Sequence, residues 1–119
     1  MKWWMFLDDE REPGDFFSLS GENYKVARNY WMALEFMRVF GCPEFISFDH
    51  DLGHKYTLHG MPLTGLDVVK WMIEQDLDED GTFIPANFKF DVHSMNPVGG
   101  PNIKALLEAY FRAKNSSPE

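Results

Sequence analysis

Cysteine is almost missing from this 119-residue chain. Cys42 stands alone, so no disulfide can form within it and nothing points to an oxidising compartment. Basic residues are scarce as well, 11 against 19 acidic ones, for a net charge of −8. That balance opposes non-specific binding to duplex nucleic acid or to anionic lipid, both of which need positive patches, and it suits a divalent cation. Long apolar runs are lacking too. The opening "MKWWMFLDD" places five apolar residues between Lys2 and its acids, too few for a signal-peptide core and far too few to span a bilayer. These absences lead to the expectation of a cytoplasmic protein without a membrane segment.

What is present fits a folded domain. The hydrophobic fraction of 45% and charged fraction of 25% are those of soluble globular proteins, and 119 residues suffice for one core. We expect a single domain over 1–114 and a flexible tail at 115–119. Trp3, Trp4, Trp31 and Trp71 read mainly as core, and Cys42, beside a helix stop in "FGCPEF", as a buried structural thiol. The acidic run "EQDLDEDG" (74–81) reads as a solvated helix end and loop.

Periodicity places the elements. "KWWMFL" (2–7) is a short apolar run ending abruptly at Asp8, and "EFISFD" (44–49) is a second; both predict buried strands. "NYKVAR" (23–28) and "FKFDVHS" (88–94) alternate and predict two more. Residues 29–40 are dominated by helix formers, broken only by Glu35 and Arg38 and stopped by Gly41 and Pro43. So apolar a helix is either packed on several sides or presents a contact face to a protein partner. Thr64, with Asp67 three residues on, predicts the start of another helix. Ile103, Leu106, Leu107 and Tyr110 line one face of a last one. Residues 12–22 and 54–63 read as loops, the first having to cross the sheet without a helix. Strands alternating with helices predict an α/β layered, mainly parallel sheet.

In a parallel sheet, ligands bind beyond the carboxyl ends of the strands. Three predicted strands end in polar clusters, "LDDER" (7–11), "FDHDLG" (48–53) and "VHSMNPVGG" (92–100), which would converge at one edge. Asp8, Asp9 and Asp49 can crowd there only if a cation, expected to be Mg²⁺, neutralises them; a single Asp at a strand end is usually a turn former or helix cap. Asp51 is assigned to the second shell or to shaping the loop. His50, His54 and His59 lack a zinc spacing. His93, beside Ser94, suits general acid–base work or bonds the loop backbone. Asn96 and the backbone at Gly99 and Gly100, ahead of a helix, form a candidate phosphate cradle. Arg11 either clamps a phosphate or pairs with the nearby acids.

With "LDDER", "FDHDLG", "TGLDVV" and "HSMNPVG" in this order, most of the chain resembles the cyclic-phosphate processing receiver domains of bacteria and phages. The resemblance implies a receiver or flavodoxin-like three-layer α/β fold with a reduced, mostly parallel sheet of about four strands. It implies Asp8 and Asp9 as the Mg²⁺-holding pair and Asp49 as the counterpart of the phosphoryl-accepting aspartate. The chain departs from ordinary receivers in carrying His93 before Ser94, and in lacking the first helix and the fifth strand with its lysine. The expectation is a Mg²⁺-dependent phosphoesterase acting on cyclic phosphates of nucleotides or RNA ends. Its metal ligands would be Asp8, Asp9 and Asp49, its catalytic groups Asp49, His93 and Ser94, and its phosphate contacts Arg11, Asn96, Gly99 and Gly100. A phosphoacceptor signalling domain and a non-catalytic binding protein remain as alternatives.

Overall fold

The strands form where short apolar runs occur. The computed structural model of the protein describes residues 2–116. Strand β1 spans Trp4–Leu7, β2 Tyr24–Ala27, β3 Phe45–Phe48 and β6 Lys89–Val92; they form one sheet in the order β2-β1-β3-β6, parallel throughout. The expected α/β fold around four parallel strands is therefore observed.

Period two along each strand divides the sheet into unequal faces. Met5 and Leu7 of β1 and Ile46 and Phe48 of β3 point one way and are fully buried. Helices α2 (Tyr30–Phe40), α3 (Gly65–Asp78) and α4 (Gly99–Asn115) cover them, inserting Ala33 and Met37, Val68, Val69 and Met72, and Ile103 and Leu107 into one core. The other face carries Trp4, Phe6, Phe45 and Ser47. Among the described residues its one helix is α1 (Asp15–Ser18), a single turn whose Phe17 meets Phe6 and Trp4 edge-on at 5.4 and 5.7 Å. This distribution follows from the strand order. The chain steps from β1 to β2 in one direction and from β2 to β3 to β6 in the other, so right-handed crossovers place α1 opposite the other helices. The third layer is thus reduced to one turn, inside a segment expected to be loop.

Local signals explain the helix ends. Asn29 Oδ1 accepts the Met32 amide at 2.9 Å, and Gly41, at φ 81°, stops α2. At α3 the Asp67 carboxylate accepts the Thr64 amide at 2.8 Å, as the spacing predicted. The 54–63 segment is not a plain loop. It holds a hairpin, β4 (Thr57–Leu58) with β5 (Met61–Pro62), turned by His59 and Gly60 at φ 53° and 79°, a pair of left-handed residues matching the strand twist. Two-residue strands carry no period to read.

Three other details add to the sequence reading. Trp31 is 48% exposed, because α2 turns Ala33, Leu34 and Met37 inward instead. Asp76, inside the acidic run, is completely buried; its carboxylate accepts from the Ile84 amide at 2.8 Å, Tyr110 Oη at 2.5 Å and Lys114 Nζ at 2.9 Å. Burial alone would raise the Asp76 pKa, but these donors outweigh it and hold the group low. Helix α4 runs through Asn115, one residue past the expected domain end, and residues 117–119 of the expected tail lie outside the described residues. No described helix is long and apolar enough to cross a membrane.

Candidate functional site

Leu7, Phe48 and Val92 are the last residues of β1, β3 and β6 and stand in register with one another. Asp8, Asp49 and His93 are the next residues along, and their amides prolong the ladder: Asp8 to the Ala27 carbonyl at 3.1 Å, Asp49 to Leu7 at 2.9 Å, His93 to Phe48 at 2.9 Å. The three side chains therefore emerge abreast on the face carrying Phe6 and Ser47. One ligand atom from each lies within 4.8 Å of the other two.

The two carboxylates have different surroundings. Asp8 is 1% exposed. Its Oδ1 accepts the Glu10 and Arg11 amides at 2.9 and 2.8 Å, and its Oδ2 accepts His93 Nε2 at 2.9 Å. Burial works to raise its pKa, but the amides of Arg11 and Glu10 and the His93 contact prevail and leave it lowered. Asp49 is 8% exposed and is pushed up, first by burial and then by the negative charge of Asp8, against the weaker pull of His93, Arg11 and Ser94. Asp49 is thus the carboxylate with unmet charge.

His93 is fixed on three sides. Its ring stacks on Phe6 at 4.8 Å and 4°, Nε2 faces Asp8, and Nδ1 lies 2.6 Å from Ser47 Oγ. In the neutral ring that donates Nε2–H to the Asp8 carboxylate, Nδ1 accepts the Ser47 hydroxyl proton. Ser47 was not singled out from the sequence, although it offers a signal: a polar residue in a buried strand, two before Asp49 and so on the same face. Arg28 was also missed. It sits just past β2, and its guanidinium donates to the Asp8 and Arg11 carbonyls at 3.3 and 2.6 Å and to Glu12 at 2.7 Å, bracing the 8–12 segment.

The remaining predicted residues fall into two groups. Asp9 and Arg11 line the same cleft, about 630 Å³, which the β4–β5 hairpin borders through Met61 and Pro62. Asp9 is absent from the close cluster and faces Gly53, where an added Cβ would stand 3.3 Å from its Oδ2. Arg11 Nη1 donates to the His93 carbonyl at 3.0 Å, and its Nε lies 3.8 Å from Asp8, so it pairs with the acids. The amides expected to cradle phosphate are already committed. Val98 and Gly99 donate to Asn96 Oδ1 at 2.9 and 2.7 Å, and Gly100 donates to the Asn96 carbonyl at 3.1 Å. Asn96 Nδ2 holds Asp51 at 3.2 Å, and Asp51 also meets His50 Nδ1 at 2.8 Å, giving Asp51 its loop-shaping role. Gly99 is glycine for packing: a Cβ there would lie 2.3 Å from the His50 ring. Ser94 Oγ accepts the Asn96 amide at 3.1 Å.

The donor set fits a divalent cation. Asp49 provides an under-compensated carboxylate and Asp8 a second negative charge, while His93, engaged through both nitrogens with Asp8 and Ser47, stands beside them. Among the described residues this is the one cluster of three or more such groups.

Residues 3–109 match the family described as cyclic-phosphate processing receiver domain. A crystal structure of NtrX from Brucella abortus superposes with a TM-score of 0.50 at 16% identity, over 97% of this chain and 28% of that one; at that identity the likeness shows the fold alone. The chain thus spans less than a third of that protein. A crystal structure of the NtrX receiver domain from Brucella abortus aligns over 92% of this chain and 98% of its own, at 17% identity and a TM-score of 0.49. No curated protein matches the sequence.

Proposed function

The chain belongs to the cyclic-phosphate processing receiver domain family, and from that membership together with the geometry of its site we propose a metal-dependent phosphoesterase acting on cyclic phosphates of nucleotides or RNA ends. The observation that carries the reading is Asp49, buried beside Asp8 with its carboxyl pushed up, in a cleft that Asp9 and Arg11 also line, with a His93 nitrogen within 4.8 Å of both carboxylates. Asp49 and Asp8 would hold Mg²⁺, with Asp9 reaching the ion from the cleft wall. When bound, the ion supplies charge neutralisation for an anionic phosphate in an acidic cleft and polarises a phosphoryl oxygen.

The protein's own groups do the rest. Hydrolysis adds a water oxygen to phosphorus, breaks one ring P–O bond and needs a proton for the departing alkoxide. In the tautomer that carries its proton at Nε2 against Asp8, His93 would give that proton to the alkoxide and recover one from the attacking water, its ring fixed by Ser47 and Phe6. Asp8 keeps the ring oriented as a positioning residue. Arg11 is the cation nearest the cluster, and release from the His93 carbonyl would let it take a phosphate oxygen. Incubation with a 2′,3′-cyclic nucleotide and Mg²⁺ tests the proposal. Ring opening that disappears in Asp49→Asn is expected; absence of turnover, or turnover undiminished in that variant, overturns it.

A second reading has its own support. Asp49 occupies the end of the central strand β3, where a receiver presents its phosphoryl-accepting aspartate. No lysine lines the cleft among the described residues. Acid-labile phosphate on Asp49 after treatment with acetyl phosphate would favour this reading. A protein partner at helix 29–40 is supported by the exposure of Trp31 and Val39, at 48% and 61%.

A further inference from the structure

Strand β6 is an edge strand: among the described residues nothing pairs with its far side. An open edge offers a row of backbone donors and acceptors, and edges are normally protected by charge, most often by lysine. Here the protection has an unusual form. Lys89 and Asp91 are both exposed, point to the same face two residues apart, and have no ion-pair partner among the described residues. Opposite charges in alternation do not repel a second copy of the same strand; they complement it in one register.

The backbone allows two centres, Phe90 and Val92, and only Phe90 sets Lys89 opposite Asp91. Lys89 and His93 donate their amides inward, to the Glu44 and Phe48 carbonyls of the β3 side at 2.9 Å each. By the period of two, the amides and carbonyls of Phe90 and Val92 point outward. An antiparallel partner strand can then be centred on Phe90, where Phe90 of each copy exchanges two hydrogen bonds with the other. Val92 falls opposite Phe88, and Lys89 opposite Asp91, twice by symmetry. Centring on Asp91 would set Asp91 against itself, and centring on Lys89 would set Lys89 against itself. Charge rejects both.

The surroundings agree. A shallow groove of about 580 Å³ runs along this edge between β6 and α4, lined by Phe88, Phe90, Val92 and Phe111 with Lys104 and Glu108. The last two sit one helical turn apart and repeat the basic–acidic alternation. The opposite edge, β2, carries Lys25 as its one charge and has no such self-complementarity.

We propose that β6 is an isologous docking edge for a second copy of this chain, forming a continuous eight-stranded sheet through Phe90–Phe90 backbone pairing and two Lys89–Asp91 cross-strand pairs. The two-fold axis passes between the two β6 strands, perpendicular to the sheet, so the two clefts lie at opposite ends of the strands. The proposal is independent of the phosphoesterase reading.

Sedimentation velocity over a concentration series tests it, with amide exchange as a second readout. The expected result is a species of twice the 13.9 kDa monomer mass, with exchange at Phe90 and Val92 slowing as concentration rises. Asp91→Lys and Lys89→Asp should each weaken the dimer roughly tenfold, and an equimolar mixture of the two variants should restore it as a heterodimer. Both positions are exposed, so the fold survives, as far-UV circular dichroism of each variant will verify. A monomer at every concentration up to about 1 mM, or a dimer indifferent to the charge swaps, overturns the proposal.

Discussion

The His93 imidazole and the Asp8 carboxylate, 85 residues apart in the chain, meet at 2.9 Å, and this contact separates the roles of the two buried aspartates. Asp8 is fully hydrogen-bonded. Asp49, its neighbour just past the next strand, has burial and a like charge that outweigh His93, Arg11 and Ser94.

That asymmetry predicts opposite effects for the same substitution. The folded-state pKa of Asp49 is raised, so its contribution to stability is complete below the unfolded value near 3.8 and is lost as pH rises through the folded value. In metal-free buffer, Asp49→Asn should therefore be more stable than the parent at pH 7 by about 1 kcal/mol, with the difference shrinking toward pH 3. Melting curves in EDTA across that range measure it. Coincident curves would mean that Asp49 is not crowded.

For Asp8 the sign reverses. Its folded pKa is depressed, so its stabilisation is present above the unfolded value and is lost as pH falls through the folded one. Asp8→Asn should cost about 2 kcal/mol at neutral pH, because the Glu10, Arg11 and His93 donors lose an ionised acceptor. The cost should fade in acid. A stabilised Asp8→Asn protein would contradict the assignment.

Cation binding should be visible without any turnover. At one hundred times its dissociation constant, Mg²⁺ bound to the folded form alone adds about 2.7 kcal/mol. The upward shift in Tm should vanish in Asp49→Asn. A shift that persists there would move the ion elsewhere.

Gly65 links α3 to the site. A Cβ on it would lie 2.0 Å from the Asp49 carbonyl oxygen, and its amide donates to the His50 carbonyl at 2.8 Å. Gly65→Ala should cost about 3 kcal/mol and abolish the metal-dependent Tm shift even where the protein still folds. Unchanged stability would show that the helix can withdraw freely.

Far from the cleft, Asp76→Ala should cost about 3 kcal/mol by stranding Lys114 and Tyr110. Burial and the Asp76 carboxylate push the Tyr110 phenol up to about 12, and the substitution should return it toward about 10, read by ultraviolet titration. Cys42, whose thiol is raised by burial, should resist alkylation until the protein unfolds.

Strand and helix identities in this chain are local properties. The runs WMFL and FISF, the Thr64–Asp67 spacing and the Gly41 stop each act over a few residues, so composition and period suffice to read them. Convergence of Asp8, Asp49 and His93 also followed from sequence, because parallel strands ending on polar residues present those ends together. What required the tertiary structure was everything set by partners distant in the chain: Ser47 and Asp8 on the two nitrogens of His93, Arg28 behind the 8–12 segment, Asp76 buried beneath Tyr110 and Lys114. The glycines before α4 carry the same lesson. Sequence marks Gly99 as a place where backbone comes close to something, but only the packed structure shows that the neighbour is the His50 ring, since a missing side chain records a close approach without recording what approaches.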